Sequence, residues 1–306
     1  MSALPHPQDR EQVTRWVGPD AHVLQPGVAL VHADARTWLA NLPECSIHAV
    51  VTDPPYGWSE YEPADLEKLR KGRGGVWRKP PTLDGVERRP VPRFTVLKEQ
   101  ELQALSEALQ AVAALLIRAL VPGGHVFVAS TPLLSHRAFD AFAASGLERR
   151  ATVMRGVQTL RGGDRPKGAH LEFPEVSVMP RGCWEPWGCF RKELQGTVAE
   201  NLRRWGTGGL RRPARDEPFK DWIASSPTHH QEKKLAAHPS LKPQHFVRQL
   251  VRASLPLGRG IVLDPFAGSG STLAAAAHLG YAAIGVERDP DYIALATTSF
   301  EALRDL

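Results

Sequence analysis

The stretch Ile261-Val262-Leu263-Asp264-Pro265-Phe266-Ala267-Gly268-Ser269-Gly270-Ser271-Thr272 reads as a buried strand, a tight glycine turn and the first residues of a helix. In an open α/β sheet, ligands bind just beyond the carboxyl ends of strands. Glycines at 268 and 270 remove side chains where a ligand must approach the backbone, and the helix start offers free N–H groups to a carboxylate. The next strand, Ala282 to Glu287, ends on an acid that suits the two hydroxyls of a ribose. Turn and acid together point to a nucleoside-containing ligand. No Walker-type lysine follows the glycines, which disfavours a nucleoside triphosphate.

Working outward, the same rhythm of apolar strands and amphipathic helices recurs. Strands are expected at Val28–His32, Ile47–Thr52 and His125–Ala129, with further ones at Arg149–Met154 and Trp184–Phe190. Helices are expected around 37–42, over 99–119, where Leu102, Leu105, Leu109, Val112, Leu116 and Ala119 share a face, and over 132–145, 243–255, 271–279 and from Pro290 onward. Continuous apolar strands have no solvent side, so they belong to a mostly parallel, doubly wound sheet covered on both faces. Residues 1–27 are polar, with scattered prolines, and are expected to form a weakly packed tail. Residues 28–190 form the first half of the domain and 240–306 the glycine-turn half. Two stretches break the rhythm: a basic loop at 57–97 and an aperiodic, tryptophan-containing insert at 191–239, expected to be a separate lobe.

The chain has 306 residues, 42% of them hydrophobic, and a formal charge of +5, enough for one large core and compatible with a polyanionic partner. Its three cysteines suit neither a disulfide framework nor a zinc set, so a reducing cytoplasm and no metal are expected. No apolar run approaches bilayer length and no membrane association is expected.

Asp53-Pro54-Pro55-Tyr56 closes the strand that begins at Ile47, again at the rim. The amino nitrogen of a base has its lone pair delocalised into the ring. It attacks a sulfonium methyl only when acceptors bond its hydrogens and let it become tetrahedral. The Asp53 carboxylate and the Pro54 carbonyl are such acceptors, Pro55 stiffens the backbone that carries them, and Tyr56 offers a face on which an unstacked base rests. A proline-stiffened turn with a buried tyrosine is the alternative reading of these four residues.

With DPPY at 53–56, HPSLKP at 238–243 and DPFAGSGST at 264–272 in this order, the chain resembles the DNA amino-methyltransferases of adenine N6 and cytosine N4, in the permuted order where the catalytic motif precedes the cofactor motif. The resemblance runs from about Val28 to Phe300. It implies the S-adenosylmethionine-dependent methyltransferase fold with an inserted DNA-recognition lobe, and base flipping from duplex DNA. Asp53, Pro54, Pro55 and Tyr56 then form the catalytic motif, with Asp264, Phe266, Gly268, Gly270 and Thr272 around the cofactor and Glu287 on its ribose. Lys242 borders the methionine part, and Asp34 contacts the cofactor adenine, although Ala33 stands where the family usually has glycine.

Aspartate as the first motif residue favours adenine N6 over cytosine N4. Cytosine C5 methylation is excluded because no cysteine follows a proline. A catalytically idle DNA-binding or cofactor-sensing protein, and RNA or protein as substrate, are the remaining alternatives. Arg73, Arg78 and Lys79 in the loop, and Arg203, Arg204, Arg211 and Arg212 in the insert, are the expected DNA contacts. A homodimer, a cognate restriction endonuclease and nucleoid association through DNA complete the expectations.

Overall fold

The computed structural model describes residues 4–56, 76–77, 91–92, 99–157, 163, 165–166, 168–228, 230–236 and 241–306. Among them, nine strands form one sheet. Its middle is parallel: β2 (Val28–His32), then β11 (Ala282–Glu287), β10 (Ile261–Asp264), β3 (Ile47–Thr52) and β6 (Leu120–Ala129). β1 (His22–Gln25) pairs antiparallel with β2 at one edge. At the other edge β8 (Trp184–Arg191) runs antiparallel to both β6 and β7 (Glu148–Gly156), and β9 (Trp222–Ala224) lies parallel to β7. A separate ribbon pairs β4 (Val76–Trp77) with β5 (Val91–Pro92).

Alternation along the strands sorts the core into two layers. Ala49, Val51, Phe127 and Ala129 face one side, where α7 (Gln244–Ser254), α8 (Ser271–His278) and α9 (Pro290–Asp305) cover them through Phe246, Leu250, Leu273, Ala276 and Phe300. Val50, Val126 and Val128 face the other, under α1 (Pro7–Val17), α2 (Ala35–Ala40), α3 (Glu99–Ala119) and α4 (Ser135–Ala144). Helices on both faces of a parallel centre make the doubly wound fold that the apolar strands demand. By length and composition, α3 is apolar enough to cross a membrane. Its Leu105, Leu109, Val112 and Leu116 are buried in this second layer.

From the adjacent pair β10 and β3 the chain departs in opposite directions: β10 passes through α8 to β11, and β3 passes through α3 to β6. The two crossovers lie on opposite faces, so a crevice opens above the carboxyl ends of β10 and β3, the switch point where such sheets bind ligands.

Three expectations need correction. The first 27 residues are not a weak tail: α1 places Val13 and Val17 in the core, and β1 adds a strand to the sheet. The strand expected at 125 begins at Leu120, with VPGG inside it. Gly123 at φ 77 and the register jump opposite Ile47 and Ala49 mark a bulge there. The stretch 191–239 is not a free-standing lobe. Its described residues add α5 (Val198–Trp205), β9 and α6 (His230–Leu235), and they dock on the sheet through buried Asn201, which donates to Pro122 O at 2.9 Å and Thr207 O at 2.8 Å. That polar docking carries little apolar periodicity.

Val13 is 2% exposed. Val13→Ala is therefore expected to lower the unfolding free energy by about 1–2 kcal/mol, read as a shifted urea midpoint at unchanged slope. A midpoint equal to wild type would mean that α1 contributes nothing to the core.

Candidate active site at the sheet rim

The carboxyl ends of β3 and β10 are tied by a side-chain bond: Thr52 Oγ1 donates to Asp264 Oδ1 at 2.7 Å. Phe266 N donates to the same oxygen at 3.1 Å, and Thr272 Oγ1 reaches back to Val51 O at 3.3 Å. The glycine turn is thus fixed to the strand that delivers Asp53. Asp264 is 4% exposed, and burial pushes its carboxyl up to about 6.

Past Thr52 the chain leaves the sheet through Asp53, buried Pro54, exposed Pro55 and half-buried Tyr56. Tyr56 Oη donates to Asp53 Oδ1 at 2.6 Å, while Lys242 Nζ contacts Asp53 Oδ2 at 2.8 Å. The same ammonium lies 2.8 Å from Glu185 Oε1 on β8, and the other oxygen of Glu185 accepts from Arg155 Nη1 on β7 at 2.8 Å. Arg155 also donates to Ser225 Oγ and Ser226 O, and it stacks 5.2 Å over the Phe246 ring. The result is a chain of alternating charges, Arg155, Glu185, Lys242 and Asp53, with side chains 6% to 15% exposed. Burial, the largest influence on Asp53, holds its carboxyl above the ordinary carboxylate range, and Lys242 pulls it only part of the way back. Burial alone would raise Glu185 too, but Lys242 and Arg155 together bring it below that range.

On the other side of the crevice, Gly268 at φ 50 and Gly270 at φ 77 adopt the left-handed conformation that side chains disfavour, and Gly270 is the N-cap of α8. A Cβ on Gly270 would sit 3.3 Å from the Ala296 Cβ. Glu287 is engaged with backbone: Oε2 accepts from Gly268 N at 2.8 Å and Oε1 from Arg288 N and Asp289 N at 2.9 Å each. It therefore holds the glycine turn against the strand end. A carboxylate has about four lone-pair sites, so it retains capacity for a hydroxyl. Asp34 lies beside it in the fold, because Ala33 N donates to Glu287 O, and it caps α2 by accepting from Arg36 N and Thr37 N. Phe266 packs against the second core layer.

Two further side chains bear on whether the crevice fits a nucleoside ligand with a charged tail. Gln244, 1% exposed, donates Nε2 to Ser271 O at the start of α8, and its Oε1 has no partner among the described residues. Ser130 Oγ, just past β6, is equally buried and equally unpartnered there. Two orphaned polar atoms at a rim that also carries a glycine turn and a helix start fit a ligand that brings its own donors and a carboxylate.

The structure brings Asp53, Tyr56, Lys242, Asp264, Thr272, Gly268, Gly270 and Glu287 to one rim. It does not bring the insert arginines there. Arg203 and Arg204 follow Asn201, which bonds Pro122 near the start of β6, and Arg211 donates to Tyr281 Oη and Ala253 O, just ahead of β11 and at the end of α7. Arg252 donates to Arg212 O in the same region. These positions lie at the amino ends of the parallel strands, roughly 20 Å from the rim at 3.3 Å per strand residue. The reason is the direction of β8, which runs down from the rim and delivers Arg191 to the far edge. Arg73, Arg78 and Lys79, and His238 to Ser240 of the HPSLKP motif, lie outside the described residues. Sequence reasoning missed Glu185, Arg155, Ser130 and Gln244, which stand alone in their local sequence. What does leave the rim is the connection from β7 to β8, where Val157 N still donates to Cys183 O and Gly163 N to Met179 O beyond the strand ends.

Residues 189–298 match the DNA methylase family. Over 288 residues the chain is 25% identical to the type II methyltransferase M.HindIII of Haemophilus influenzae, covering 85% of this chain and 91% of that protein. It is 36% identical over 84 residues to the type II methyltransferase M2.DpnII of Streptococcus pneumoniae, a match that spans 28% of this chain and only 31% of the relative. A Thermus thermophilus protein solved in complex with S-adenosyl-L-methionine has the same fold, with a TM-score of 0.54 and 22% identity over 90% of this chain and 93% of its own.

Because the folded state raises the Asp264 carboxyl to about 6, it favours the protonated form. The stability this group contributes is full below about pH 4 and is lost as pH rises through about 6. In urea titrations at pH 4.5 and pH 7, wild type is expected to lose about 2 kcal/mol more than Asp264→Asn over that interval. The neutral amide still accepts from Thr52 but does not ionise. Parallel pH dependences in the two proteins would refute a buried, shifted Asp264.

Proposed function

We propose that the chain is a member of the DNA amino-methyltransferase family and that it methylates the N6 amino group of adenine in duplex DNA, on a base flipped out of the helix into the rim crevice. One observation carries the reading: the Thr52–Asp264 bond sets the Asp53–Tyr56 segment beside the glycine turn, at the switch point of the sheet. The cofactor is S-adenosylmethionine, which supplies, when bound, a sulfonium methyl open to a nitrogen lone pair. Gly268, Gly270 and the start of α8 are suited to its amino-acid end and Glu287 to its ribose. Asp34 is proposed to face its adenine.

Asp53 Oδ1, which now accepts from Tyr56 Oη, is the acceptor for one hydrogen of the target amine. The Pro54 carbonyl takes the other. Bonded in this way, the nitrogen leaves the ring plane and its lone pair becomes available. Once the nitrogen is quaternised it must shed a proton, and Asp53 Oδ1, its carboxyl raised by burial, is placed to take it. Tyr56, relieved of its bond to Asp53, stacks on the base. Aspartate at the head of the motif supports adenine; incubation with labelled cofactor and DNA, followed by separation of nucleosides, returns N6-methyladenine on this reading and N4-methylcytosine on the rival one.

Duplex DNA meets the enzyme at the rim. The type II designation of both relatives supports a cognate restriction endonuclease of the same specificity, and action on DNA supports a cytoplasmic site of work. The extension from β7 to β8, with Arg165 and Arg181, is better situated to reach that DNA than the arginines of α5.

Asp53→Ala is expected to lower methyl transfer by at least about a hundredfold while calorimetry shows cofactor binding largely intact. Retained activity in this variant would remove Asp53 from the reaction. The double substitution Arg203→Ala and Arg204→Ala is expected to leave KM for DNA within about twofold of wild type and to change the salt dependence of binding little. A salt slope lowered by about two would instead bring DNA to the far edge of the sheet.

A further inference from the structure

Four buried charges in a row call for an explanation that the transfer step does not give. Only Asp53 faces the target amine, yet Lys242, Glu185 and Arg155 are sequestered with it. We propose that Glu185, clamped by Arg155, is a positioning residue: it holds the Lys242 ammonium against Asp53 Oδ2, so that one carboxylate oxygen is fixed and the other is presented to the target amine. This rests on the methyl-transfer reading of the site.

The geometry assigns the parts. Lys242 is shared equally between two carboxylates, at 2.8 Å from each, so neither owns it. Arg155 is anchored on three sides, by Glu185, by Ser225 and Ser226, and by the face of Phe246, and it cannot follow Glu185 if the acid moves. Rigidity therefore passes from β7 through β8 to the rim. The Lys242 backbone precedes α7 and Asp53 follows β3, so the ammonium also joins the catalytic segment to the chain that leads into the cofactor half.

The network also sets how firmly Asp53 holds a proton. Facing Asp53 are Lys242 from the segment before α7, Glu185 from β8, Tyr56 from its own loop and Asp264 from β10. Beyond them lie Arg155 on β7, His245 on α7, which meets Ser225 Oγ at 3.2 Å, and Glu232 on α6, which accepts from Gln244 N. Glu185 raises the Asp53 carboxyl by its charge and competes for Lys242, whereas Arg155 offsets Glu185. Glu185→Gln keeps the shape, frees Lys242 for Asp53 alone and exposes Asp53 to an unbalanced Arg155. Arg155→Met does the reverse.

The test is the pH titration of the Asp53 side-chain carboxyl, followed by carbon-13 NMR and assigned through Asp53→Asn, alongside the pH dependence of kcat. Glu185→Gln is expected to lower both midpoints by about 0.5–1 pH unit and Arg155→Met to raise them by a similar amount. In Glu185→Gln, kcat falls about tenfold with the Kd for S-adenosylmethionine unchanged. Midpoints that stay within about 0.2 unit of wild type in Glu185→Gln, or that move upward there, overturn the proposal. Should Arg155→Met fail to fold, the isosteric Glu185→Gln decides alone. The carboxyl titration needs no DNA: a wild-type protein that methylates nothing would defeat the methyl-transfer reading, while the midpoints would still judge the network.

Discussion

The bond from Thr52 to Asp264 is the constraint from which the site follows. β3 and β10 belong to opposite halves of the sequence, and they are neighbours only because the sheet inserts β11 and β10 between β2 and β3. Parallel pairing fixes their directions, and the hydroxyl-to-carboxylate bond at the last rung fixes their relative height. A shift of β3 by one residue would turn Asp53 toward the other face and send Thr52 away from Asp264. The Asp53–Tyr56 segment and the glycine turn are thus aligned by sheet register, before any ligand arrives. Thr272 adds a second tie from the helix start to Val51, so the turn and the strand move as one body.

How much of this could be read from the chain depends on which force wrote it. The buried strands and α3 announced themselves because apolar burial imposes a period on sequence, and Asp53–Tyr56 and the glycine turn did so because backbone stiffness and positive φ demand particular residues. α1 gave little sign: between prolines and a glycine, only Val13 and Val17 of its face are deeply buried. The bulge in β6 looked like a helix stop because Pro122, Gly123 and Gly124 serve either purpose. The insert read as a separate lobe since Asn201 docks it by hydrogen bonds, which carry no period. The arginines of the insert lie away from the rim for a topological reason. Whether β8 runs with or against β6 decides which edge receives Arg203 and Arg204, and no local pattern states a strand's direction.

Glu287 shows how a site acid serves two ends. Its carboxylate is expected to meet ribose hydroxyls, yet it already accepts from Gly268, Arg288 and Asp289. An acid that waited unpartnered at the rim would be solvated and mobile. One held by three backbone N–H groups is preorganised, at the cost of some accepting capacity. Asp34 follows the same economy, capping α2 through the oxygen that accepts from Arg36 and Thr37.

The row of charges behind Asp53 is best understood by what it does not contribute. Buried ion pairs rarely exceed well-packed apolar groups in stability, since desolvation of each ion costs several kcal/mol before attraction is counted. Well-packed apolar residues in place of the whole row would fold as well on that argument, whereas removing Glu185 and Lys242 alone would strand Asp53 and Arg155 as unpaired buried charges. What apolar residues cannot do is hold a carboxylate in a fixed orientation while keeping it a good acceptor. Burial by itself drives the Asp53 carboxyl toward its protonated form, which donates where the carboxylate accepts. A single lysine against it would quench its basicity. Sharing that lysine with Glu185, and balancing Glu185 with Arg155, leaves Asp53 ionisable, oriented and only partly neutralised, the state in which an acceptor for an amine hydrogen is useful.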